Sequence, residues 1–124
     1  MRLLLDTHVL LWWLRDDRRL SARFASAIAD PSNEVSVSAA SVWEASIKAA
    51  LGKLTIDGDL VDEIGANGFA ELAITARHAQ LAAALPRHHD DPFDRLLAAQ
   101  AKLEGLQLAT LDPAFADYGV ALLA

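Results

Sequence analysis

Arg2-Leu3-Leu4-Leu5-Asp6 decides the fold. A short, continuous apolar run is the pattern of a strand buried on both faces, which in turn calls for a parallel sheet covered by helices on either side. Asp6 follows it at once. A carboxylate at the end of a buried strand stands where open α/β sheets present their ligand-binding groups.

Working outward, apolar runs alternate with helical patterns along the chain. Val9–Leu14 reads as a helix leading into the charged turn Arg15–Arg19, and Ser21 caps a helix to about Ala29 that Asp30-Pro31 stops. Glu34–Ser38 alternates Val35 and Val37 with polar neighbours and reads as the second strand. Ser41–Leu51 is the clearest helix, closed by Gly52; another is expected over Leu60–Ala66, then a strand over Ala70–Ile74 and a helix over Ala76–Leu85. The last third reads as a helix from Phe93 or Asp94 to Glu104 with Gly105 beyond its end, a strand over Leu106–Thr110, one helical turn over Pro113–Ala116 and a short strand over Val120–Leu123. Strands separated by helices imply parallel pairing in an α/β sandwich. With 124 residues and no repeat or linker, one domain spanning residues 1–124 is expected.

Composition narrows the function. Hydrophobic residues make up 53% and charged residues 23%, enough for a core and too apolar for disorder. The absence of cysteine excludes disulfides and thiolate metal sites. Asp6 and His8 interrupt the apolar N-terminus, and no run approaches the about 18 residues of a membrane span, so a soluble, cytoplasmic, unprocessed chain is expected. The net charge of −6 runs against nucleic-acid binding, whose affinity rests on phosphate contacts, unless the acids converge on a cation.

Four carboxylates stand where an α/β fold would gather them. Asp6 ends strand one, Glu44 falls in the first turn of the helix after strand two, Asp94 opens the helix leading into strand four, and Asp112 follows that strand. Each also has a plain structural role open to it. Asp6 is a natural helix cap, Ser41 and Glu44 have the spacing of a capping box, Glu44 and Lys48 are a helical i,i+4 pair, and Asp112-Pro113 is a turn opener. Of Asp91 and Asp94, one caps the helix. Taken jointly, four acids at sheet-end positions point to one acidic pocket. Crowded carboxylates repel one another, and a hard divalent cation such as Mg²⁺ or Mn²⁺ relieves that repulsion. The chemistry this implies is phosphodiester hydrolysis by water activated at the metal.

Other polar clusters are less informative. His88-His89-Asp90-Asp91 offers zinc or nickel ligands, yet adjacent residues rarely share one metal and no HxxxH spacing occurs. His8 and His78 are isolated and take no role. Arg15, Arg18, Arg19 and Arg23 lie close together but are diluted by Asp16 and Asp17; Lys48, Lys53 and Arg95 stand elsewhere. Trp12 and Trp13 are neighbours and cannot both face one core side, which leaves one for a dimer surface or a partner's groove.

Larger blocks carry a resemblance. Leu3-Leu4-Leu5-Asp6-Thr7-His8-Val9-Leu10-Leu11-Trp12, Ser41-Val42-Trp43-Glu44-Ala45 with Gly52-Lys53-Leu54, Asp91-Pro92-Phe93-Asp94-Arg95-Leu96-Leu97 with Ala98–Ala101, and Ala109-Thr110-Leu111-Asp112 with Phe115 and Tyr118 follow one another in order. Together they resemble the PIN-domain ribonucleases, specifically the VapC-type toxins of toxin–antitoxin pairs. The resemblance implies a three-layer sandwich with a mainly parallel sheet of four to five strands. It also implies a Mg²⁺- or Mn²⁺-dependent endoribonuclease with Asp6, Glu44, Asp94 and Asp112 as its acidic residues and Thr110 supporting the first. The implied products carry 5′-phosphate and 3′-hydroxyl ends. The implied partners are RNA, a VapB-like antitoxin that plugs the acidic groove with a basic side chain, and a second copy of the chain.

Two rivals share the α/β pattern. A receiver-like phosphoacceptor domain needs paired acids after strand one, an Asp ending strand three and a Lys after strand five. Here Asp6 is alone, the third strand runs into Thr75, and no lysine follows Lys102. A non-catalytic interaction module is the second, and the presence of all four acids argues against it.

Overall fold

The computed structural model describes residues 1–87 and 90–123. Its centre is β1 (Arg2–Leu5), whose Leu3, Leu4 and Leu5 are all fully buried. Truncating one such leucine to alanine costs about 2–5 kcal/mol. β2 (Glu34–Ser38) pairs with it in parallel on one side, Leu3 against Val35 and Leu5 against Val37. β4 (Gln107–Ala109) pairs in parallel on the other, Leu4 against Leu108. β3 (Ala70–Leu72) extends the β2 edge, so the order is β3-β2-β1-β4.

The helices cover both faces. Leu3 and Leu5 point to the layer made by α1 (Thr7–Leu14), α2 (Ala22–Ala29), α3 (Ala39–Ala50) and α4 (Leu60–Ala66), meeting Leu10, Phe24, Ala45 and Ile64. Leu4 points the other way, to the layer made by α5 (Ala76–Ala84), α6 (Pro92–Glu104) and the 3-10 helix Pro113–Tyr118, meeting Leu97, Leu108, Phe115 and Tyr118. This is the expected three-layer sandwich. The chain steps outward from β1 to β2 to β3 over one face, then returns over the other to enter β4 beside β1. Right-handed crossovers require that change of face when the direction reverses.

Several boundaries differ from the sequence reading. α3 starts at Ala39, capped by Ser38, whose hydroxyl accepts from the Ala40 N–H. Ser41 is therefore buried inside the helix, and the Ser41–Glu44 capping box does not form. Glu44 lies in the second turn, not the first. α1 begins at Thr7, two residues before the first apolar residue of its pattern, because Asp6 caps it. β3 is three residues long, and the expected final strand is reduced to a single bridge between Leu108 and Leu122. Gly105 ends α6 with a φ of 66°, a conformation that glycine adopts without strain. Among the described residues no helix is long and apolar enough to cross a membrane.

Candidate active site at the sheet's switch point

Strand order reverses between β1 and β4, and outside their carboxyl ends lies the crevice where such sheets bind ligands. Asp6 sits at its floor. Its backbone N–H donates to the Ala109 carbonyl at 3.1 Å, tying the end of β1 to that of β4. One carboxylate oxygen accepts from the Val9 N–H at 2.7 Å, capping α1; the other accepts from the Thr110 hydroxyl at 2.5 Å. Thr110 Oγ1 in turn accepts from the Asp112 N–H at 3.0 Å.

Asp6 is buried, and burial pushes its carboxyl above the ordinary value of 3.8. The Thr110 hydroxyl, the Val9 amide and nearby His8 act against that rise, while the negative field of Asp112 adds to it. The structure thus brings Asp6, Thr110 and Asp112 together. Asp112 also caps the 3-10 helix through the Ala114 N–H, so its structural and site roles coexist.

Glu44 arrives from α3. The buried hydroxyl of Thr7 donates to Ser41 Oγ at 3.0 Å, fixing the start of α1 against the turn of α3 that precedes Glu44. Glu44 is buried; Oε2 accepts from Lys48 Nζ at 3.0 Å, and among the described residues Oε1 has no hydrogen-bond partner. The i,i+4 pair exists, but it is no solvated surface pair, since the Glu44 side chain is only 7% exposed.

Asp94 comes from the first turn of α6 and is half-buried. Asp91 is the cap, accepting from the Phe93 and Asp94 N–H groups, so the choice between the two aspartates falls on Asp91. Phe93 meets Trp43 edge-to-face with ring centres 5.2 Å apart, which pins the residue before Asp94 to the residue before Glu44. Among the described residues the carboxylates do not close into a group of three or more that would cage a metal.

Other sequence expectations sort themselves out. Trp12 and Trp13 are both half-buried against the core, Trp13 donating to Asn67 Oδ1 and Trp12 lying under the Arg19 guanidinium. The exposed tryptophan is Trp43, at 60%. Arg15 donates to the Thr55 carbonyl, Arg19 pairs with Asp17, and Arg95 donates to the carbonyls of Ala82, Leu85 and Pro86 at the end of α5. Arg15 and Arg95 tie separate segments together, whereas the Arg19 pair is local and exposed. His88 and His89 lie outside the described residues. His78, given no role from sequence, is buried between α5 and α6: Nδ1 accepts from the Thr75 N–H and Nε2 meets Glu104 Oε1 at 2.8 Å. Thr75 three residues ahead of a polar side chain was the available signal, in the form of a capping box.

An all-parallel β3-β2-β1-β4 sandwich with Asp6 and Asp112 at its switch point defines a class, and comparison with known proteins gives that class its name. Residues 3–121 match the model of the PIN domain. The chain belongs to the PIN-domain family. It is 34% identical over 117 residues to ribonuclease VapC22 of Mycobacterium tuberculosis, covering 88% of this chain and 85% of that protein. Solved structures share the fold at lower identity. VapBC2 from Rickettsia felis, solved bound to a DNA fragment from its promoter, has a TM-score of 0.69 at 13% identity, with 100% of this chain and 98% of that one covered. FitAcB from Neisseria gonorrhoeae has a TM-score of 0.66 at 23% identity, with 98% and 96% covered. A toxin–antitoxin complex from Klebsiella pneumoniae has a TM-score of 0.61 at 20% identity, with 88% and 85% covered.

Proposed function

We propose that this chain is a metal-dependent endoribonuclease and the toxin of a VapBC-type toxin–antitoxin pair. The observation that carries the chemistry is Asp6, a buried carboxylate braced by Thr110 and faced by Asp112 at the switch point. The kinship with a protein named as a VapC ribonuclease supports RNA as the substrate.

The residues fit a hard divalent cation. Among the described residues Glu44 Oε1 is a buried oxygen without a donor, and burial, with a smaller addition from the negative field of Asp112, holds the Asp6 carboxyl above its ordinary value. Such groups are costly to bury and are relieved by a cation. Mg²⁺ keeps several waters and needs only one or two protein carboxylates, so an open set of acids suits it better than a cage. When bound, Mg²⁺ or Mn²⁺ polarises the phosphoryl group and acidifies water near neutral pH.

Asp6, Glu44 and Asp94 are the residues that would hold the ion, with Asp112 assisting. Thr110 fixes the rotamer of Asp6 through its hydroxyl, and the capped start of α1 holds the same carboxylate from the other side. Hydrolysis with water as nucleophile leaves 5′-phosphate and 3′-hydroxyl ends. End-group analysis of cleaved RNA tests this, and a 2′,3′-cyclic phosphate would contradict it because the RNA's own hydroxyl would then be the nucleophile.

The partners follow the same reading. One related fold was solved as a toxin–antitoxin complex and another as VapBC2 bound to a promoter fragment, which supports a VapB-like antitoxin whose basic side chain enters the acidic crevice. A homodimer is part of the proposal, as is action in the cytoplasm.

A further inference from the structure

We infer that Lys48 is a built-in, displaceable counter-ion: its ammonium neutralises Glu44 before a divalent cation arrives and leaves when one binds. The inference rests on the metal reading above and adds a residue that competes with the ion.

Three observations meet at this pair. The Glu44 side chain is 7% exposed and, among the described residues, one of its oxygens has no partner, so its charge is costly where it stands. Lys48 Nζ, 3.0 Å from the other oxygen, is the cation hydrogen-bonded to that carboxylate. The lysine is anchored differently from its partner: its side chain is 38% exposed. It also lines an open hollow of about 470 Å³ whose wall is shared by Glu44, Asp90, Asp91 and Phe93.

Lysine suits this task. Its ammonium is a compact charge on a flexible stem that can turn into water without disturbing α3, whereas a guanidinium holds a carboxylate in a fixed fork. A divalent cation brings twice the charge to Glu44 and would repel Nζ at once. The freed ammonium then has the hollow beside it, which Asp90 and Asp91 also line. The metal-free protein thereby avoids an unpaired buried charge, and the bound ion must displace a resident cation.

The test is isothermal titration of Mn²⁺ alone into the full chain, beside Lys48→Met and Lys48→Gln, with thermal melts of each with and without saturating Mn²⁺. Removing the competitor is expected to tighten Mn²⁺ binding by about three- to fivefold, the scale of a half-exposed ion pair. Both variants should melt below wild type without metal and match it when saturated. Equal or weaker Mn²⁺ binding in the variants overturns the inference, because Lys48 would then not compete with the ion. A melting deficit that persists at saturation also overturns it, since that is the behaviour of an ordinary structural pair. Folded protein that binds no Mn²⁺ in any form removes the metal reading itself, a failure distinguishable from the other two.

Discussion

Two regions of this protein bury polar side chains, and they do so in opposite ways. Between α5 and α6, His78 has both ring nitrogens engaged and Arg95 spends its donors on the carbonyls closing α5. The leftover there is one neutral oxygen, Gln100 Oε1. At the end of β1 and in α3 the buried groups are carboxylates: Asp6 is held above its ordinary value by burial, and among the described residues Glu44 Oε1 has no donor. The first region meets all its needs but that one neutral oxygen and holds helices together. The second leaves negative charge that one half-exposed lysine matches only in part, and such departures from internal consistency are expected at functional sites.

Breaking the second region should remove activity and spare the fold. Asp94→Asn is expected to lower RNA cleavage by at least about a hundredfold, since the loss of groups that merely support metal ligands already costs 10- to 100-fold. Far-UV circular dichroism should be unchanged, and wild-type turnover would take Asp94 out of the site. Thr110→Val tests the support itself. Losing the hydroxyl that holds Asp6 Oδ2 should cost about 10- to 100-fold in cleavage, measured as kcat/KM on one RNA.

Breaking the first region should do the reverse. His78→Ala is expected to destabilise by about 3 kcal/mol, on the order of 10 °C in Tm, by opening a cavity and orphaning the Thr75 N–H. Cleavage well below the new Tm should stay within about twofold of wild type on this scale of purely structural loss. A large loss of activity there would erase the contrast.

The smallest effect sharpens it. Because burial raises the Asp6 carboxyl, the folded state holds that proton more tightly than the unfolded chain does. Its contribution to stability is therefore greatest in acid and falls as pH rises from the unfolded value near 3.8 through the raised folded one. Asp6→Asn in EDTA should accordingly melt a few degrees above wild type at neutral pH, with the gap closing in acid. A variant that melts lower at neutral pH would mean that the charge is already matched within the chain.

The contrast also explains what could be read from sequence. Leu3–Leu5, Val35 and Val37 fixed a buried parallel sheet because continuous and alternating apolar runs are local signals. The four acids were visible because each follows or precedes such a run. The start of α3 was misread because Ser38 and Ser41 are equally good caps on paper, and only the burial of Ser41 beside Thr7 separates them. The Thr75–His78 box left a local signal, but the His78–Glu104 contact left none because Glu104 lies 26 residues away. Whether Glu44 has a spare oxygen is likewise a property of packing, and no spacing encodes it.

The most direct test of the central claim is cleavage of total bacterial RNA by purified, antitoxin-free protein, with Mg²⁺ or Mn²⁺ against EDTA, beside Asp6→Asn. Discrete fragments that require both the metal and Asp6 are the predicted result. Folded protein that cleaves nothing under any condition, or that cleaves equally in EDTA, would contradict it and leave a PIN fold serving as an interaction module.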